Sequence, residues 1–196
     1  MRQRILFRLQ IPLAVFLLIT IHGCTHTIKV SKVPLLQVSS PLKDLPSKTF
    51  FVNDFTDGRV NAIIYTDTGH KFFSDPNLLK IIRNVLMDEL TRQGHTCVNQ
   101  VSKDVPDYII EGVVYKYTYS MVAGRFTSPR RIAEVFLKLT VIPHNRPGRL
   151  TKNYEGSFFI VGISNTAVID MLNQALLDAI KQFLLDKEVI ELLRST

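Results

Sequence analysis

The stretch from Asp107 to Gly162 most constrains the fold, because it alternates apolar and polar residues with a period of two through three successive segments. In Asp107–Met121, the alternation sets Ile109, Val113, Tyr115, Tyr117, Tyr119 and Met121 on one face and Lys116, Thr118 and Ser120 on the other. Ile132–Ile142 turns Ala133, Val135, Leu137, Leu139 and Val141 inward and Glu134, Lys138 and Thr140 outward. Lys152–Gly162 sets Tyr154, Gly156, Phe158 and Ile160 against Asn153, Glu155, Ser157 and Phe159. Turn signals bound each segment, so the three are expected to pair as an antiparallel meander with one buried face.

Helical signals flank this block. Asp75 before Pro76 reads as an N-cap followed by proline at the first helical position. Leu79, Ile82, Leu86 and Leu90 then recur at helical spacing, with Lys80, Arg83, Asn84 and Asp88 on the solvated side and Gly94 as a C-cap. Ser164-Asn165-Thr166 offers an N-cap to a final helix running to about Leu193, striped with Val168, Leu172, Leu176, Ala179 and Phe183. Thr49–Phe55 reads as a strand, and the stretch after it, carrying Asp57-Gly58-Arg59 and Thr68-Gly69-His70, reads as polar connection. The expected fold is a single α+β domain over residues 49–196, a two-layer sandwich with a mainly antiparallel sheet of about 4–5 strands and two helices on one face.

The N-terminus has a different logic. Arg2, Arg4 and Arg8 precede an apolar run from Ile11 to Ile21, and the first acidic residue is Asp44. A spanning helix needs about 20 apolar residues, so this shorter run is read as a signal peptide over residues 1–23. Ile21-His22-Gly23-Cys24 resembles the lipobox of bacterial lipoproteins, although His22 stands where that motif carries a small residue. The resemblance implies cleavage before Cys24, acylation of Cys24 with diacylglycerol and a further acyl chain such as palmitate, and membrane anchoring without a spanning helix. Thr25 in place of an acidic residue implies sorting to the outer membrane of a Gram-negative cell, facing the periplasm. An ordinary cleavage site and an uncleaved anchor are the alternatives.

Residues 24–48 carry Pro34, Pro41 and Pro46 and no sustained period, so they are read as the lipidated cysteine followed by an extended tether of at most about 80 Å. Lys29, Lys32, Lys43 and Lys48 make it basic, which suits anionic head groups or plain solubility. Of the 24 basic residues, three leave with the signal peptide, so against 17 acidic ones the formal charge falls from +7 to +4. A surplus of that size is no nucleic-acid footprint. The second cysteine, Cys97, is then alone and expected to be buried.

Catalytic constellations are missing from the sequence. His22, His26, His70, His95 and His144 show no metal-ligand spacing, and there is no GxSxG, P-loop or GxGxxG motif. His95 and Cys97, two apart, lack a visible orienting group, while Asp54, Asp57 and Arg59 read as a solvated turn closing the first strand. No enzyme activity, metal or cofactor is expected. Tyr115, Tyr117 and Tyr119 share a face by alternation: uncovered, they would be an aromatic platform for a glycan, peptide or protein; covered by helices, the edge of the core. Arg125, Arg130 and Arg131 in one connection, and Arg146, Arg149 and Lys152 in the next, fall at opposite ends of a meander. They could touch phosphate-bearing lipid separately, with solvated charge as the default.

The order Val52-Asn53-Asp54, Asp57-Gly58-Arg59, a helix ending in Leu90 and Gly94, Asp107-Tyr108-Ile109-Ile110-Glu111-Gly112 and a closing helix led by Ser164-Asn165-Thr166 resembles the YajG-type bacterial lipoproteins. It is also similar to the auxiliary lipoproteins of ABC-type envelope transporters. The resemblance implies a non-catalytic envelope component with a protein partner. A periplasmic carrier or sensor binding a lipid, glycan or other small ligand is the competing expectation, and an envelope hydrolase the third.

Overall fold

The computed structural model describes residues 25–29, 33, 34, 36, 40–67, 70–99, 105–122, 128–161 and 167–195. The described elements are β1 (Thr25–Ile28), a 3-10 turn (Pro41–Asp44), β2 (Thr49–Val52), β3 (Thr56–Asp57), β4 (Ile63–Asp67), β5 (His70–Ser74), α1 (Leu78–Arg92), β6 (Thr96–Val98), β7 (Tyr108–Val122), β8 (Arg130–Pro143), β9 (Leu150–Val161), α2 (Val168–Leu184) and α3 (Lys187–Arg194). The α+β class and the antiparallel meander β7-β8-β9 are as the alternation requires, with Ala133, Val135, Leu137, Leu139 and Val141 all buried.

The sheet is larger and more mixed than expected. Its order is β6-β2-β7-β8-β9, with β3 continuing along β7 past the end of β2. The β6–β2, β2–β7 and β3–β7 pairs are parallel. Parallel neighbours need a crossover, and α1 supplies it between β2 and β6. At three residues, β6 is too short to leave a periodic signature.

A second sheet is ordered β1-β5-β4, and its β4 and β5 occupy the stretch read as polar connection. Ile63-Ile64-Tyr65 and Phe72-Phe73 are its strand formers. It packs on the larger sheet through Tyr65, whose ring meets that of Tyr119 edge-on at a centroid distance of 5.0 Å.

Residues 25–48 are not a free tether in their described parts. Thr25–Ile28 pairs in parallel with Lys71–Ser74, and Val33, Leu36 and Leu42 join the main core. Apolar side chains at those positions gain more from burial than the segment loses by being ordered.

Helix ends also differ from expectation. Asp75 shapes the turn before α1, its Oδ1 accepting from Asn77 N at 2.8 Å, and the helix itself starts at Leu78. Gly94 closes it with φ of +94°, a conformation that glycine adopts without Cβ strain. The long final helix breaks at Leu185. Asp186 starts α3 by accepting from Glu188 N and Val189 N at 2.9 and 3.4 Å. The N-cap expected at Ser164-Asn165-Thr166 lies outside the described residues.

Helix α2 meets the sheet at Gly156. A Cβ there would stand 1.9 Å from Ala175 O and 2.5 Å from Ala179 N, so backbone lies on backbone. Around this contact Leu137, Leu139, Leu172, Leu176 and Ile180 are nearly or completely excluded from solvent. Gly156→Ala should therefore lower unfolding stability by about 3 kcal/mol or more, as an overpacking cost with no flexible side chain to yield. Chemical denaturation measures this; a loss no larger than that of a surface substitution would contradict the contact.

Candidate functional site

The three tyrosines do not share a face. β7 pairs with β8 as Val114↔Leu137 and then Lys116↔Phe136, so Tyr115 is an extra residue that reverses the alternation. Upstream, Tyr108, Ile110, Gly112 and Val114 point inward; downstream, Tyr117 and Tyr119 do. Tyr115 alone faces out, 40% exposed, its ring 5.6 Å from that of Phe136. Burial pushes the Tyr117 phenol far above its ordinary range, and its hydroxyl has no hydrogen-bond partner among the described residues. The expected common face is thereby corrected: Tyr117 and Tyr119 belong to the core, and Tyr115 is a surface ring on the other side.

That surface ring belongs to the sheet face opposite the helices. Around it lie the Lys116–Glu134 ion pair at 2.8 Å, Lys138, Thr151 and Asn153. Two depressions of about 280 and 350 Å³ open on this face. Side chains of α2 guard the neighbouring β9 edge: Gln182 Nε2 donates to Glu155 O at 2.7 Å, and Asp178 Oδ2 accepts from Ser157 N at 3.2 Å.

The basic residues separate into structural and exposed groups. Arg146 donates to Leu192 O and Ser195 O at 2.8 and 3.1 Å, closing the C-terminal end of α3. Lys152 holds Asp186 and Glu188, each at 2.9 Å. Asp186 in turn hydrogen-bonds to Lys152, which raises the lysine's pKa. Arg59 is no solvated turn residue: its side chain is 8% exposed, doubly bonded to Asp57 and joined to Ser74 Oγ at 3.0 Å. The guanidinium holds the Asp57 carboxyl below its ordinary range, and the clamp ties β3 to β5. Arg130 is exposed and Arg131 half-buried; Arg125 and Cys24 lie outside the described residues. Cys97 is half-buried with its thiol directed at Met87 O, and burial raises its pKa.

The polar cluster that sequence reasoning missed holds the N-terminal segment. Glu89, fully buried on α1, accepts from Leu36 N at 2.6 Å while its other oxygen pairs with Arg92 at 2.6 Å. One turn on, Gln93 Oε1 accepts from Ser40 N at 3.2 Å, and Ser40 Oγ donates to Leu184 O at 2.5 Å. His95 Nδ1 accepts from Lys48 N at 3.3 Å. A carboxylate, an amide and an imidazole are thus spent on backbone N–H groups that no strand satisfies. Glu89 and Gln93 at helical spacing beside an apolar stripe were the available signal.

Among the described residues, no group of three or more His, Cys, Asp or Glu side chains could hold a metal ion, and no helix is long and apolar enough to cross a membrane. No protein-family model matches the sequence, and no curated protein matches it. Solved structures do. Protein XCC0632 from Xanthomonas campestris, of the DUF330 family, superposes with a TM-score of 0.57 at 11% identity, covering 81% of this chain and 92% of that one. The two share a fold. A homolog of the neuraminyllactose-binding hemagglutinin from Helicobacter pylori gives 0.49 at 12% identity, over 86% and 97% of the two chains. Lipoprotein GNA1162 from Neisseria meningitidis gives 0.40 at 12% identity, over 70% and 99%. The YajG-type likeness remains one of sequence pattern.

The clasp makes a pH dependence. Burial first, and then the nearby Lys48 ammonium, lower the His95 pKa from its ordinary 6.5, so the folded state binds fewer protons than the unfolded one. Stability is fully present above 6.5 and is lost as pH falls through that value toward the depressed pKa. Denaturant midpoints should fall on acidification below 6.5, and this component should vanish in His95→Gln; an unchanged pH profile in the variant would contradict the assignment. Glu89→Ala should leave Leu36 N unsatisfied, costing about 2 kcal/mol, and should speed amide exchange at Leu36.

Proposed function

We propose that the chain is a lipid-anchored, non-catalytic lipoprotein of the bacterial envelope, held at the outer membrane through Cys24 and facing the periplasm. There it serves as an adaptor or accessory factor of an envelope complex or transport system. The observation that carries this reading over a carrier is the closed helix–sheet layer. A carrier of this architecture would hold its ligand between α2 and the sheet, where Gly156 instead touches the backbone of Ala175 and Ala179. What remains available to a partner is the uncovered face, with Tyr115 as an amphipathic ring among Lys116, Glu134 and Lys138. The lipobox-like Ile21-His22-Gly23-Cys24 supports the anchor, and the YajG-type pattern supports an envelope setting.

Two experiments test the two halves of the reading. Cys24→Ala should leave the chain unlipidated and release it from the outer-membrane fraction; full retention with an unmodified mature N-terminus would refute the anchor. A photo-crosslinking amino acid at Tyr115 in intact cells should capture one envelope protein. Recovery of a small molecule with no protein adduct would replace the adaptor with the carrier.

A further inference from the structure

The exposed large apolar residues concentrate at one end of the meander. Met121, Val122, Phe159 and Val161 are 47%, 56%, 66% and 57% exposed. The register brings them together: Val122 pairs with Arg130, which pairs with Val161, and Ser120 pairs with Ile132, which pairs with Phe159. Val122, Ile132, Phe159 and Val161 therefore share the uncovered face, with Met121 on the other side of the same end. Further along that face the next row is Thr118, Glu134 and Ser157, so the apolar patch is confined to the strand ends. Monomeric surfaces normally scatter such side chains singly.

The N-terminus of the described chain arrives at this same end. Ring contacts step from His26 to Phe72 at 5.3 Å, from Phe72 to Tyr65 at 5.6 Å and from Tyr65 to Tyr119 at 5.0 Å, three residues short of the end of β7. Thr25 pairs with Lys71, which pairs with Thr66, one residue beyond the Tyr65–Tyr119 contact. β1 starts immediately after Cys24 and leaves no spacer. Attachment of Cys24 to a membrane therefore brings this end of the domain to the bilayer surface. Lys71 and Arg130, both exposed, and the half-buried Arg131 stand there, cations suited to lipid phosphates.

We infer that the end of the domain formed by Met121, Val122, Phe159 and Val161 is a membrane-contacting face. These side chains enter the interfacial zone while Lys71 and Arg130 lie among anionic head groups. The inference rests on the proposed membrane attachment of the N-terminal segment, and it adds an orientation: the domain stands with its strand ends on the lipid. The Tyr115 face then lies beside the membrane, open to a partner.

The chain has no tryptophan, so F159W introduces a single fluorescent reporter. The control is H144W, since His144 follows Pro143 at the opposite end of the β7–β8 pair. Full-length protein purified from membranes is reconstituted into vesicles of phosphatidylglycerol and brominated phosphatidylcholine. F159W should be quenched about twofold or more relative to unbrominated vesicles, with a blue-shifted emission, and H144W hardly at all. Protein that sediments with the vesicles but shows equal quenching at both sites overturns the inference and leaves the anchor standing. Protein that fails to sediment overturns the anchor and this inference together. A blue shift of F159W that grows with protein concentration and is indifferent to bromine assigns the patch to a second copy and overturns the membrane face.

Discussion

The contact between Gly156 and the backbone of Ala175 and Ala179 sets the distance between the two main layers. Everything else on the inward face is sized to that spacing. Leu137 and Leu139 on one side and Leu172, Leu176 and Ile180 on the other fill the gap that two backbones in contact leave beside them. Sheet and helix usually stand about 10 Å apart with side chains between. Here one glycine and two alanines remove the intervening side chains locally. The layer becomes a closed wall, and a ligand site within it would require the helix to move.

The second device is the use of buried polar side chains as backbone receptors. Glu89, Gln93 and His95 lie where α1 ends and the chain leads into β6, and each accepts from a different residue of the preceding segment: Leu36, Ser40 and Lys48. Burying a carboxylate is costly, and here the cost is offset by three charge-assisted bonds, one from the Leu36 amide and two from Arg92. The described parts of a proline-rich segment that lacks periodicity are thereby tied to the domain, and apart from β1 they belong to neither sheet. The core residues Val33, Leu36 and Leu42 complete the attachment.

How far the sequence foretold this depends on whether each feature leaves a periodic trace. The meander and the outward Phe159 were legible because strands of 15, 14 and 12 residues repeat the period many times. The helical stripes were legible for the same reason. The bulge at Tyr115 was not: one extra residue shifts phase by half a period, and apolar residues on both sides of Val114 made either phase acceptable. β4 and β5, five residues each, carried the right aromatic and β-branched residues but too few repeats to stand out from a polar setting. The parallel pairing of β2, β3 and β6 is a long-range fact, fixed by α1 as a crossover. Of the candidate surface residues, Tyr115 and Arg130 are surface groups, whereas Tyr117 and Tyr119 are core; the clasp around Glu89 could be recognised only once its backbone partners were in place.

The bond from Ser40 Oγ to Leu184 O joins residues 144 apart in the chain. Tyr108 Oη to Leu192 O adds a span of 84. Synthesis delivers a chain from its N-terminus, so the segment around Ser40 emerges long before the helix end that receives it. Until that helix arrives, the Ser40 contact cannot form and the core cluster that Val33, Leu36 and Leu42 join is incomplete. Closure of such distant contacts is entropically slow. The early chain therefore reaches its final packing only after the last helices have been made.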